Sequence, residues 1–228
     1  KSGESYFSKV VDNLAKELEG GEFVLVQGAG YIGHKIAMEE KLSGLKDNQV
    51  AWARLRNEVM KISSQFIESL VKAKKPAVYI ATSSIAKMKN GELSGLNIDP
   101  IIGFIKNGFI PFLHSDAPID EVKGLSILSG DILAERIAEL LGAEMLIYGI
   151  DVDGVLDKDK KLIKELSKDQ INNVEYWEVN DVSGGIKAKL KYAAEAANKE
   201  IKVRIINLRK EGNLAKAIKG EDVGTLIL

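Results

Sequence analysis

Apolar residues recur at helical spacing in two long stretches of the chain. In residues 5–19 they fall every three or four positions as far as Gly20 and Gly21, and this spacing predicts a helix that ends at the glycine pair. A longer periodic stretch covers residues 49–73, and Asn48 stands where a side chain could cap its first turn. The pattern therefore predicts two amphipathic helices, the second being the longest in the chain.

Short apolar runs alternate with further helical stretches in the rest of the sequence. The predicted strands cover residues 23–26, 78–81, 109–113, 145–148 and 203–206, with a last strand at the terminus. The predicted helices cover residues 98–107, 131–141, 184–199 and 212–219. Strands that alternate with helices favour an α/β fold whose sheet is mainly parallel. Two polar stretches marked by glycine, 87–95 and 118–124, predict hairpin-like excursions at strand ends.

Length and charge narrow the functional classes. A chain of 228 residues can form one sizeable domain, and we predict a single domain over residues 1–228. The 32 Lys and Arg residues against 33 Asp and Glu residues give no overall attraction to nucleic acid or to an anionic membrane. Cysteine is absent, which excludes disulfides and thiolate metal sites, and no long apolar span predicts membrane insertion. We expect a cytoplasmic protein.

A glycine-rich turn follows the first predicted strand. Gly28, Ala29 and Gly30 would let the backbone turn tightly and bring N–H groups near an anion if a helix begins close by. Gly33 and His34 come just beyond, and the imidazole of His34 could hydrogen-bond a phosphate oxygen. From the residues alone, the turn and the histidine could equally be structural.

Three later segments carry charged or hydroxyl groups beside glycines. Their residues are Ser129-Gly130-Asp131 before a helix, Asp151-Val152-Asp153-Gly154-Val155 after a strand, and Gly184 and Gly185 ahead of Lys187 and Lys189. The carboxyl edge of a parallel sheet is where α/β proteins bind ligands. Helix capping for the first segment, a capped surface turn or a metal site for the second, and solvated lysines for the third remain the alternatives. The residues that we predict as site residues include no metal ligands.

The order and spacing of the motifs resemble the amino-acid-kinase family. The resemblance rests on residues 24–34, 151–155 and 180–189 and on the terminal Gly224-Thr225, and the pair Gly33-His34 is most similar to the isopentenyl phosphate kinase branch. It implies a three-layer αβα sandwich with a mainly parallel central sheet. The N-terminal half would mainly bind the acceptor and the C-terminal half would mainly bind ATP.

The resemblance also implies an activity and roles for residues. The expected reaction transfers the γ-phosphate of ATP, with Mg2+, to isopentenyl phosphate, and the expected assembly is a homodimer. The implied catalytic residues are Lys189, His34 and Asp131. The implied acceptor-binding residues are Gly28, Ala29, Gly30, Gly33, His34, Ser129 and Gly130. The implied ATP-binding residues are Asp151, Asp153, Gly154, Val155, Gly184, Gly185, Lys187 and Lys189.

Several positions depart from the family pattern. Ala29 and Ser115 replace usual glycines, Ile132 replaces the second aspartate of Ser-Gly-Asp-Asp, and Leu208 replaces the glycine of a usual Asn-Gly. The family's N-terminal strand with Lys-x-Gly-Gly-Ser has no match, and we expect it to precede residue 1 rather than to be lost. Two alternative functions remain. The protein could be a kinase of the same fold for another phosphate, a phosphonate, a nucleotide monophosphate or a carboxylate, or it could be a catalytically impaired nucleotide-binding protein.

Overall fold

The chain folds into alternating helices and strands. The structure is a computed structural model, and it describes residues 2–44, 48–171, 173, 175–177 and 185–228. The helices are α1 (Ser2–Glu17), α2 (Gly30–Glu39), α3 (Gln49–Lys72), α4 (Thr82–Ile85), α5 (Asp99–Lys106), α6 (Gly130–Leu141), α7 (Gly185–Ala197) and α8 (Asn213–Ile218). The strands are β1 (Leu25–Gln27), β2 (Ala77–Tyr79), β3 (Ala86–Lys89), β4 (Glu92–Leu96), β5 (Ile110–His114), β6 (Ile119–Asp120), β7 (Gly124–Leu125), β8 (Met145–Ile150), β9 (Glu165–Leu166), β10 (Lys202–Asn207) and β11 (Thr225–Ile227).

These elements form two compact units. The middle unit covers residues 21–133, and the terminal unit joins the residues up to 20 with the described residues from 134 onwards. The predicted assignment of the acceptor to one half of the chain and of ATP to the other stays a prediction.

The middle unit is built on a parallel sheet in the order β1-β5-β2. Strand β5 is central and buried along its whole length, as its continuous apolar run predicts for a strand covered on both faces. Helix α3 buries Trp52, Leu55 and Val59, and its first turn is capped as predicted, because Asn48 Oδ1 accepts hydrogen bonds from the amides of residues 50 and 51. The apolar periodicity of α3 thus fixes which face covers the sheet.

Both predicted hairpins are present in the middle unit. Strand β3 pairs antiparallel with β4, and β6 pairs antiparallel with β7. The buried carboxylate of Asp120 ties them together, accepting hydrogen bonds from the amides of Asn90, Gly91, Val122 and Lys123 and from Ser126 Oγ. Burial by itself raises the pKa of Asp120, but these bonds to the charged form outweigh burial and lower it.

The terminal unit contains a sheet in the order β8-β10-β11-β9, in which β8 runs parallel to β10 and only β11 is antiparallel to β10. Val203 and Ile205 of β10 and Leu190 of α7 lie in its apolar core. Glu17 at the end of α1 accepts hydrogen bonds from the amides of Gly212 and Ala215, so this carboxylate meets the positive end of α8.

The α/β prediction is confirmed, with mainly parallel pairing in the main sheet of each unit. All six predicted helices form, and their ends lie within three residues of the predicted ones. The sequence did not predict the one-turn helix α4 or the short strand β9. Among the described residues, no helix has the length and apolar character that a membrane crossing requires.

Candidate functional site

The glycine-rich turn leads directly from β1 into α2. Ala29 is the N-cap residue, and Gly30 adopts a φ of 63°, a left-handed conformation that glycine enters without steric cost. The first helical hydrogen bond runs from the Gly33 amide to the Ala29 carbonyl at 3.3 Å. The amides of residues 30–32 therefore have no acceptor within the helix, and they supply donors for an anion at the end of the strand.

Gly33 lets α2 approach α3 closely. A methyl group on Gly33 would lie 2.6 Å from Cβ of Ala29 and 3.3 Å from Cγ2 of Val59. Ala29, which replaces a usual glycine of the family pattern, is buried, and its methyl lies against Gly33. His34 is the next residue of α2 and is half-buried, and its Cα–Cβ bond tilts toward the N-terminus of the helix, where the turn lies.

The structure brings the start of α6 against the same turn. Gly130 approaches Gly28 so closely that a methyl group on it would lie 3.1 Å from Cα of Gly28 and 3.3 Å from the carbonyl oxygen of Gln27. Ser129 caps the helix, because its Oγ accepts a hydrogen bond from the amide of Ile132 at 3.3 Å. The residue of this segment that caps α6 is therefore Ser129, and not Asp131. Gly28 and Gly130, predicted from separate motifs, meet at one place.

A buried carboxylate and an arginine lie at the carboxyl end of β5. Asp116 is buried, and its oxygens accept hydrogen bonds from Arg56 Nε at 2.7 Å, from the Ser83 amide at 3.0 Å and from the Ala117 amide at 2.8 Å. Burial raises the pKa of Asp116, but the hydrogen bonds from Arg56 and Ala117 and the charge of Arg56 lower it overall. Asp116 is therefore ionised at neutral pH.

Sequence reasoning missed Arg56 as a candidate site residue. Its only signal was a cationic residue on the flank of an apolar helical face, four residues after Trp52 and three before Val59. Helix periodicity alone cannot distinguish such a residue from a solvated one, because its partner Asp116 is 60 positions away.

His114 has a structural environment. It is buried, its ring stacks on Tyr79 with centroids 5.3 Å apart, and its Nδ1 lies 2.7 Å from the carbonyl oxygen of Ser115. A carbonyl only accepts, so Nδ1 carries the proton and the Tyr79 hydroxyl donates to Nε2 at 2.6 Å in the neutral ring. Burial, helped by the charge of Asp116, raises the pKa of Tyr79 to about 12.

In the terminal unit, the predicted nucleotide-binding acids follow β8. Asp153 accepts hydrogen bonds from Lys210 at 2.6 Å and from Asn207 at 3.1 Å, and Asp151 lies 3.3 Å from Arg209. The hydrogen bond from Lys210 is the main cause that lowers the pKa of Asp153. Each acid thus has a basic partner from the segment after β10. The pair with Lys210 keeps the carboxylate of Asp153 ionised at the end of the sheet.

The terminal Gly224-Thr225 supports this acidic turn. Thr225 is fully buried, its Oγ1 accepts a hydrogen bond from the Val155 amide at 2.9 Å, and it donates to the carbonyl of Ile163 at 2.5 Å. Gly224 has a φ of 67°, and a methyl group on it would lie 2.1 Å from a backbone carbonyl oxygen. Two motifs far apart in sequence therefore form one structure. Gly154 and Val155 stay predicted ATP contacts, although the Val155 side chain lies in the core.

The two candidate lysines on α7 face different surroundings. Lys189 is half-buried, with Nζ 4.9 Å from the ring centroid of Tyr148 on β8. Lys187 is exposed, and with Lys191 and Lys168 it lines a cavity of about 230 Å3. Of the two, Lys189 reaches toward the strand that leads into Asp151. Gly185 is the first residue of α7, whereas Gly184 and the preceding Asn180–Ser183 lie outside the described residues.

Leu208, where the family has glycine, covers β8. Its side chain packs on Gly149 so closely that a methyl group on Gly149 would lie 1.9 Å from Leu208 Cδ1. Gly149 therefore accommodates the bulk that Leu208 adds to this face of the strand. In the part of the chain that the structure describes, no group of three or more His, Asp or Glu side chains is arranged so that it could hold a metal ion.

Comparisons with known proteins identify a family and several relatives that this chain resembles. The model of the amino acid kinase family matches residues 1–207. Isopentenyl phosphate kinase from Methanothermobacter thermautotrophicus is 29% identical, over 95% of this chain and 89% of the relative. Isopentenyl phosphate kinase from Methanocaldococcus jannaschii is 30% identical, over 94% of this chain and 83% of the relative.

A solved isopentenyl phosphate kinase structure superimposes with a TM-score of 0.82 and 24% identity, covering 99% of this chain and 91% of that one. At that identity the superposition supports the fold alone. Membership of the family is shown by the family model, which matches most of the chain. This chain belongs to the amino acid kinase family.

Proposed function

We propose that the chain is a kinase that transfers the γ-phosphate of ATP to isopentenyl phosphate, giving isopentenyl diphosphate. The observation that carries the proposal is the turn into α2, where three amides without helical acceptors and His34 lie at one end of β1. The relatives named isopentenyl phosphate kinase, which match nearly the whole chain, support it.

The middle unit would hold the acceptor. A phosphate acceptor is already ionised near neutral pH, so the reaction needs no general base, and its main obstacle is repulsion between two anions. The amides of residues 30–32 would bind the acceptor phosphate at the start of α2, and His34 would donate a further hydrogen bond. The close contact of Gly130 with Gly28 would keep this turn in place.

The terminal unit would hold ATP. Asp151, Asp153 and Gly154 would border the nucleotide at the end of β8, and Lys189 would place its charge near the transferring phosphoryl group. We propose that Mg2+ arrives bound to ATP, where it neutralises phosphate charge. Phosphate oxygens and water would be its main ligands, because Asp151 and Asp153 are paired with basic side chains.

We also propose that the protein is a homodimer that works in the cytoplasm, where ATP is available. Exposed apolar side chains on α3, at Val50, Met60 and Val71, offer a surface for a second copy. Light scattering after size exclusion would test the dimer, and a monomer mass at micromolar concentration would contradict it.

The experiment that tests the function is ADP release with Mg-ATP and isopentenyl phosphate, beside UMP, acetylglutamate and a reaction without acceptor. We expect ADP release with isopentenyl phosphate and with none of the other acceptors. Turnover of another acceptor instead, or none despite ATP binding, would refute the proposal.

The role of His34 has its own test. His34→Ala should raise the KM for the acceptor about ten- to a hundredfold, since it removes a hydrogen bond to a charged group, and it should leave the KM for ATP nearly unchanged. Lys35→Ala is the matched control, because Lys35 is exposed on the same helix and pairs only weakly, at 3.8 Å, with Glu39. Equal losses for both substrates would remove His34 from the acceptor site.

A further inference from the structure

Arg56 of α3 is held rigidly by one edge of its guanidinium group. Its Nε donates to Asp116 Oδ1 at 2.7 Å, and its Nη2 donates to Ser83 Oγ at 2.6 Å and more weakly to Asp116 Oδ2 at 3.4 Å. The side chain is still 41% exposed. Within the part of the chain that the structure describes, Nη1 makes no hydrogen bond. The edge formed by Nε and Nη2 is therefore fixed, and the N–H groups of Nη1 form the available edge.

The sheet places this group beside the glycine-rich turn. Asp116 follows β5, the strand between β1 and β2, and the amide of Ser115 donates to the carbonyl of Gln27 at 2.8 Å, directly before Gly28. Ser83 lies just beyond β2. Neighbouring strands are about 4.8 Å apart, so Asp116, which holds the guanidinium, follows a strand that lies one spacing from β1, at the same edge of the sheet.

We propose that Arg56 is a further acceptor-binding residue, which donates from its available edge to the anionic group of the acceptor. This inference rests on the proposed function. Nη1 keeps its two N–H donors, and charge-assisted hydrogen bonds to a phosphate are stronger when the guanidinium is already oriented. Asp116 is the positioning residue, because it fixes the plane of Arg56 without itself reaching the acceptor. Its buried carboxylate is held by two amides, so the anchor does not depend on Arg56 alone.

A purely structural ion pair between α3 and β5 makes a different prediction. In that case, removing Arg56 lowers the stability of the protein but leaves the affinity for the acceptor unchanged. Acceptor affinity and thermal stability must therefore be measured on the same variants.

The test compares Arg56→Gln and Arg56→Lys with the control Arg54→Gln. Arg54 lies on the same helix, is exposed and pairs with Glu40 only at 3.8 Å. Binding of isopentenyl phosphate is measured by calorimetry without ATP, and KM is measured for both substrates. We expect Arg56→Gln to weaken acceptor binding about ten- to a hundredfold, Arg56→Lys to weaken it less, and the KM for ATP to stay within about twofold. Arg54→Gln should match the wild type.

Acceptor affinity that is unchanged in folded Arg56→Gln overturns the inference. If that variant fails to fold because Asp116 is left buried and unpaired, the double variant Arg56→Gln/Asp116→Asn removes the stranded charge, and the same titration decides. If the wild type does not bind isopentenyl phosphate, the proposed function is wrong, and the same variants are titrated with UMP, acetylglutamate and inorganic phosphate. Loss of one of these anions in Arg56→Gln alone would uphold the role of Arg56, whereas no anion binding by the wild type would refute it.

Discussion

Replacing Thr225 by valine should destabilise the terminal unit far more than its size change suggests. Valine has nearly the same shape, so the substitution removes the hydroxyl and leaves little cavity. In the wild type that hydroxyl accepts from the Val155 amide and donates to the Ile163 carbonyl, and Thr225 is fully buried. The variant therefore leaves the buried Val155 amide and the partly buried Ile163 carbonyl without their side-chain partner.

The magnitude follows from those two groups. A buried polar group that loses its partner costs about 1–3 kcal/mol, and the partly buried Ile163 carbonyl adds a smaller cost to that of the Val155 amide, which gives about 3 kcal/mol for the pair. For a protein of this size each kcal/mol lowers Tm by about 2–4 °C, so a loss of about 3 kcal/mol lowers Tm by about 6–12 °C.

Calorimetry and urea unfolding of Thr225→Val, beside Thr225→Ser, would measure this effect. Serine keeps the hydroxyl and loses only a methyl group, so its cost should be about 1 kcal/mol. A valine variant that is as stable as the serine variant would refute the assignment of the hydroxyl as the support of the acidic turn.

Three further predictions follow from the described contacts. Lys189→Ala should lower kcat about a hundred- to a thousandfold in steady-state assays, because its charge lies toward β8, while Lys187→Ala should change kcat little; equal effects would contradict the distinction. Gly33→Ala should cost about 1–3 kcal/mol in urea unfolding, because the new methyl would overlap a neighbouring alanine methyl, whereas Gly103→Ala has open space and should be neutral or stabilising. The raised pKa of Tyr79 favours its neutral form in the fold, so its contribution to stability is complete below pH 10 and is lost as pH rises through about 12; Tyr79→Phe should lose less stability than the wild type over that window, and parallel losses would exclude this role.

Much of the fold was predictable because its signals are local. The apolar periodicity of residues 49–73 and the cap at Asn48 depend on contacts within one helix, and both appear in the structure as predicted. The need for glycine at position 30 was predictable for the same reason, because its left-handed backbone conformation is required by a single turn. The resemblance to the family, which rests on the order of the motifs, is confirmed by the match over residues 1–207.

The roles of individual site residues depend on partners that are distant in sequence. Asp116 accepts a hydrogen bond from Arg56, which is 60 positions away in the sequence, and Thr225 accepts one from the Val155 amide, which is 70 positions away. Neither pairing leaves a periodic or local trace in the chain.

The sequence by itself determined the alternation of helices and strands, the turn that opens α2 and the family, because backbone conformation and apolar spacing are encoded within a few neighbouring residues. Only the tertiary structure decided that the methyl of Ala29 packs inward, that His114 is buried against Tyr79 and that Arg56 presents one free edge. Those outcomes depend on which elements pack together, and packing is a property of the folded chain.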